Sequence, residues 1–219
     1  MSVSQIILSA AELIGTVAFA LSGAMVAMDC GLDLFGVLFL GVVTALGGGT
    51  IRDLLLGINP PGMFYNYKYV LIAAVVAAMM FAAVFAGRNH YMQYRKRLDK
   101  VLNLFDAVGL GVFAVIGTQA GITAGHSGNA FFCVFLGMTT GVGGGILRDL
   151  LAGQKPYVFV KHIYALAAIA GALLYYALVW WLQVSPSVAV FPAILLVLVI
   201  RVLASRFQWN LPKITLSKT

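Results

Sequence analysis

Charge is scarce in this chain. Asp, Glu, Lys and Arg make up 10% of its 219 residues, against ~25% in a soluble domain. With 62% hydrophobic residues and a mean hydropathy of +0.98, that scarcity excludes an ordinary globular domain and leaves a protein built for a bilayer. Cysteine is nearly missing too. Cys30 and Cys133 have neither a CxxC partner nor a histidine cluster, which excludes a disulfide framework and a thiolate metal site. His90, His126 and His162 are isolated from one another. There is no phosphate-cradling glycine motif for a nucleotide and no basic stripe interleaved with aromatics for a nucleic acid. No Ser/His/Asp, Cys/His or metal-ligand set lies within the apolar segments, so neither an enzyme nor a resident cofactor is expected. The first basic residue is Arg52, so the opening apolar run lacks the basic start of a signal peptide and reads as a retained membrane helix.

What the chain does have is long apolar runs and 24 glycines. A helix needs ~20 apolar residues to cross ~30 Å of hydrocarbon. Segments of that kind fall at about 4–27, 34–57, 67–87, 101–121, 129–152, 159–182 and 187–206, separated by Pro, Gly and charged stretches. The expected fold is therefore all-α, with seven transmembrane helices.

Two segments nearly repeat each other. Residues 41–57 and 137–153 are identical at 10 of 17 positions with a constant offset of 96, and each holds Gly-Gly-Gly-x-x-Arg-Asp. Glu12, Gly15, Phe19, Ala20 and Gly23 in the first span likewise match Asp106, Gly109, Phe113, Ala114 and Gly117 in the fourth. The chain thus divides into a three-helix unit at 4–88, a basic linker at 89–100, a second three-helix unit at 101–182, a seventh helix at 187–206 and a tail at 207–219. Three spans per unit is an odd number, so the second unit enters the bilayer from the opposite face, giving an inverted repeat. Twelve of the 14 basic residues fall on the face of the 89–100 linker and the tail, and only Arg52 and Lys68 on the other. That bias predicts a cytoplasmic C-terminus and an external N-terminus.

Three glycines in a helix interior each cost ~1 kcal/mol relative to alanine. Gly47, Gly48 and Gly49, with their counterparts Gly143, Gly144 and Gly145, therefore predict a kink or break near mid-bilayer in helices 2 and 5. Broken helices at matching points of inverted repeats point to a substrate or ion site, with Thr44 and Thr140 flanking it. Close helix packing is the other reading of the same glycines. Glu12, Arg52, Asp53, Asp106, Arg148 and Asp149 lie within or at the ends of spans and must face the bundle interior. Adjacent helix residues do not face each other, so the expected pairs are Glu12 with Arg52 near one mouth and Asp106 with Arg148 near the other. Such pairs either gate a path or lock the fold. Phe19, Phe113, Leu46 and Val142 are candidates for a hydrophobic gate.

Duplicated three-span units carrying Gly-Gly-Gly-x-x-Arg-Asp, followed by a seventh span, resemble the prokaryotic branch of the trimeric intracellular cation channel family, whose repeat is also labelled a bacterial "glycine transporter" domain. The resemblance covers about residues 5–206. It implies a homotrimer in the bacterial inner membrane, in contact with membrane lipid. Each protomer would hold a pore for monovalent cations, K⁺ over Na⁺, with helices 2 and 5 kinked at the six glycines to line it. The alternative function is a secondary transporter of a small solute such as glycine.

Overall fold

The computed structural model describes residues 2–160 and 163–209, apart from the side chains of 88–99 and 160. The side chains of Arg88, His90, Arg95, Lys96 and Arg97, and the residues Lys161, His162, Lys213 and Lys218, therefore lie outside the described residues. The elements are α1 (Val3–Asp29), α2 (Leu34–Leu55), α3 (Lys68–Ala86), α4 (Arg88–Gly121), α5 (Ala130–Leu151), a single turn α6 (Tyr157–Val160), α7 (Tyr164–Tyr176) and α8 (Pro186–Phe207). Five-residue π turns extend α4 to His126 and α7 to Trp181. Among the described residues, seven helices are long and apolar enough to cross a membrane, as the sequence predicts.

One boundary differs from expectation. The 89–100 stretch is itself helical, α4 beginning at Arg88 and continuing into its membrane span. The sixth span starts at Tyr164 rather than near 159, because Ile163 sits in the left-handed region (φ 43°) and ends any helical path from α6.

Short polar signals set the ends. The Asp33 side chain accepts from the Gly36 N–H at 2.8 Å to cap α2, and Asn129 accepts from Phe132 at 3.0 Å to cap α5. Pro186 opens α8, where its missing N–H costs least. Asp33→Ala is expected to cost ~1 kcal/mol, read as a lower thermal midpoint of the purified protein. At the other end, α2 and α5 close in the same way. Gly57 and Gly153 take positive φ (74° and 68°), and the next residue donates back to Asp53 and Asp149 respectively, at 2.8 Å in both cases.

The packing is that of a bundle with α4 at its centre. Its membrane window is 72% buried, against 11% for α3 on the periphery. Between α1 and α4, Phe19 lies on Gly109 and Phe113 on Gly15, a reciprocal exchange with ring centroids 5.3 Å apart. Gly23 meets Thr44 and Leu40 of α2, while Gly117 meets Thr140 and Leu136 of α5. The internal repeat is thus a symmetry of contacts as well as of sequence.

Candidate functional site

The two glycine triplets meet each other. A Cβ on Gly48 would stand 2.0 Å from the Thr140 carbonyl oxygen, and one on Gly144 would stand 2.1 Å from that of Thr44. Leu147 lies over Gly47 and Ile51 over Gly143, again in exchange. Helices α2 and α5 therefore cross with backbone against backbone, an approach that only glycine permits. The winding does not fail there. Of the kink or break expected at these positions, the break is absent: both helices are continuous α-helix through their glycines. The physical reason is that the tolerance for glycine in lipid is used for close approach, and the regained packing offsets its poor helix propensity. Thr44 and Thr140 are fully buried and donate within their own helices, to Leu40 and Leu136 at 2.6 Å each.

The third glycine of each triplet leaves this crossing and faces a charged cluster. On the first-repeat side, Gly49 borders a cavity of about 240 Å³ that also contains Glu12, Arg52, Asp53, Asn66 and Tyr69. Phe113, Leu46 and Ala45 line the same cavity, so its apolar boundary is the outer surface of the central aromatic pair. Arg52 departs from expectation. It folds back on its own neighbour, with Nε and Nη2 donating to Asp53 Oδ1 at 2.9 and 2.7 Å, rather than reaching Glu12. Asp53 is fixed for this role because its other oxygen accepts from the Gly62 N–H at 2.8 Å. The reach of the Arg side chain makes an i,i+1 pair possible where short side chains would diverge. Glu12 instead shares the cavity with Tyr69, close enough for the two to interact electrostatically.

On the second-repeat side the expected pair forms. Arg148 Nη1 donates to Asp106 at 2.6 Å and to Ser22 Oγ at 2.6 Å, while Nε donates to Asp149 at 2.8 Å. Asp149 Oδ2 accepts from the Tyr157 N–H at 2.8 Å, repeating the Asp53–Gly62 arrangement. Here the charged groups themselves are sealed: the Arg148 and Asp106 side chains are 0% exposed, against 17% for Arg52. Two repeats of one motif thus stand in two conditions. Phe19 and Phe113 (1% and 5% exposed) pack in one apolar cluster with Leu46, which reaches the first cavity, while Val142 lies in a separate cluster with Leu110 and Tyr164.

Sequence reasoning missed Ser22, Asn66, Tyr69 and Tyr164 as members of these clusters. It counted Arg201 only as a topology charge, although its guanidinium lies 4.6 Å over the Tyr164 ring and the residue is 3% exposed. One signal was available for Arg201, a basic residue well inside an apolar span.

Oppositely threaded three-helix units that meet on glycine, with a charged cluster at each end of the crossing, define an integral membrane protein of the inverted-repeat class. Its family follows from comparison with known proteins. A family model described as "Glycine transporter" matches twice, at residues 9–85 and 103–180, once per structural repeat. The chain is 42% identical over 202 residues to a UPF0126 membrane protein of Deinococcus radiodurans, covering 90% of this chain and 87% of that one. It is 36% identical to the UPF0126 inner membrane protein YadS of Escherichia coli, covering 94% and 96%. Among solved structures, the TRIC trimeric intracellular cation channel orthologue from Rhodobacter sphaeroides superposes with a TM-score of 0.82 at 32% identity, over 95% of this chain and 100% of that one. A chain solved to explain conductance through TRIC cation channels gives 0.81 at 36% identity, over 96% and 98%. The chain belongs to this family, the prokaryotic trimeric intracellular cation channels.

Proposed function

We propose that the chain forms a passive, potassium-permeable cation channel, with a path inside each protomer of a homotrimer, in a bacterial inner membrane with the C-terminus cytoplasmic. The observation that carries this reading is the polar cavity of Glu12, Asn66, Tyr69 and Gly49, which leads to the α2–α5 crossing in a chain whose structural neighbours are cation channels. Glu12 and the Tyr69 hydroxyl supply oxygen atoms for a partly dehydrated cation, and Arg52 is held back from Glu12 by Asp53. The glycines Gly47, Gly48, Gly143 and Gly144 with Thr44 and Thr140 form the constriction as a helix contact that must part slightly for an ion to pass. The pair Phe19 and Phe113, with Leu46 and Val142, keeps water out of that contact until it parts. The Asp106–Arg148–Asp149 cluster closes the other end.

Purified protein in a planar bilayer should give unitary current steps in symmetric KCl, and under a K⁺/Na⁺ gradient the reversal potential should move toward the K⁺ equilibrium potential. Phe113→Ala should raise open probability, since it lowers the dewetting barrier. An unchanged open probability would remove the aromatic pair from the gate.

A second reading has one observation in its favour. A carrier facing one side would have one repeat open and the other closed, which is how the two charged clusters stand here. Saturable glycine uptake without current steps would select that reading over the channel.

A further inference from the structure

We infer that cations reach Glu12 along the seam between α1 and α4, through a second mouth lined by Gln5, Ser9 and Gln119. This rests on the proposed path through each protomer. Gln5, Ser9, Glu12 and Thr16 follow one another in steps of four, three and four, so they share one face of α1. At about 1.5 Å per residue the stripe runs roughly 16 Å along the helix. The neighbouring exposed positions Ile6, Leu13 and Ile14 are apolar. A row on α4 accompanies the stripe in the antiparallel sense: Gln119, Ile116 and Phe113, three residues apart at each step.

Two cavities meet at Glu12. The first-repeat vestibule holds Glu12, Thr16 and Phe113. A separate cavity of about 350 Å³ is lined by Gln5, Leu8, Ser9, Glu12, Ile116 and Gln119. Glu12 lines both, so one carboxylate is approached from two sides.

The seam suits water better than lipid. Ser9, Glu12 and Gln119 are half-buried, and the Gln119 side-chain oxygen accepts from the Tyr175 hydroxyl at 2.7 Å. Tyr175 is fully buried on α7, so the core anchors the amide that lines the groove. A carboxylate with amides and a hydroxyl around it is heavily penalised against hydrocarbon, and a hydrated groove removes that penalty. Among the described residues no ion pair involves Glu12, since Arg52 is turned onto Asp53. The charge at the foot of the seam is thereby left for a mobile cation. Beyond Thr16 the stripe ends at the Phe19–Phe113 pair, where the apolar barrier begins.

The test uses the full chain in liposomes, with Cys30→Ala and Cys133→Ala as background and methanethiosulfonate reagents on both sides. Ser9→Cys reports on the seam. Ile6→Cys is the control, because Ile6 is 55% exposed outside the seam and lies nearer the end of α1. A cationic reagent should modify Ser9→Cys about tenfold or more faster than Ile6→Cys, although depth alone gives the opposite order. Adding Glu12→Gln should lower the ratio of cationic to anionic reagent rates at Ser9→Cys by about threefold or more, since the carboxylate is one helical turn away. Full modification should reduce the unitary potassium current. Gln5→Cys, one turn further out, repeats the measurement should Ser9→Cys not fold. Equal rates at the seam and the control would overturn the route, and a second copy of the chain covering the groove would give that result. A rate ratio indifferent to Glu12→Gln, or a current unchanged by full modification, would overturn it as well. Current from unmodified protein together with any of these removes the seam and keeps the channel. No current from any preparation, with thiol rates as expected, removes the channel and its route and leaves only a hydrated groove.

Discussion

Arg148→Ala is expected to be among the most damaging single substitutions in the chain, costing ~3–5 kcal/mol. The arginine is fully buried; two of its hydrogen bonds tie α5 to Asp106 on α4 and Ser22 on α1, and the third goes to Asp149 on its own helix. Removing it leaves the carboxylates of Asp106 and Asp149 without the guanidinium that both of them bind. The matching change in the first repeat, Arg52→Ala, should cost at most ~1 kcal/mol, because that pair borders water and is 17% exposed on the arginine side. Thermal unfolding of the purified protein in detergent should therefore separate two arginines that are equivalent in the sequence repeat. The double variant Asp106→Asn with Arg148→Gln should recover part of the loss, since it withdraws one stranded charge along with the cation. Equal shifts for Arg52→Ala and Arg148→Ala would show that the difference in burial has no energetic weight.

That contrast also shows where the sequence was readable and where it was not. The number of spans, the inverted repeat and the meeting of Asp106 with Arg148 follow from hydropathy, from an odd number of helices and from the cost of charge in lipid. All of these are properties of residue types and spacing. The fate of Arg52 does not follow from them. Whether it reaches across to Glu12 or folds onto Asp53 is decided by Gly62, whose N–H fixes the Asp53 carboxylate from a loop nine residues away. The glycines posed the same difficulty. Low helix propensity predicts a break, but a break in lipid leaves backbone groups unpaired, and a partner helix bearing its own glycines offers a better outcome. Only the facing surface determines which prevails. Tyr164 was hidden for a further reason. Nothing local distinguishes it from the interfacial tyrosines Tyr65 and Tyr67, which are exposed, and its burial comes from α5 and from Arg201 on α8.

Gly48→Ala and Gly144→Ala should each cost more than the ~1–3 kcal/mol typical of overpacking. In both variants the added methyl would stand about 2 Å from a carbonyl oxygen of the opposing helix, well inside van der Waals contact, and backbone cannot turn away as a side chain can. The helices must separate, and with them the contacts of Leu147 on Gly47 and Ile51 on Gly143. Gly49→Ala is the control within the same triplet. Its Cβ would meet nothing closer than Arg52 Nη2 at 3.8 Å, and alanine's better helix propensity should make the change neutral or stabilising by up to ~1 kcal/mol. Thermal midpoints ranked with Gly49→Ala at or above the parent and the two central variants far below it would establish the crossing as a packed contact. The same three proteins then address conduction. If ions pass where α2 and α5 touch, any folded remainder of the Gly48 and Gly144 variants should have altered open probability, because the methyl holds the contact apart. A Gly48→Ala protein that melts and conducts like the parent would mean that the two helices do not meet there, and the placement of the constriction would fall with that contact.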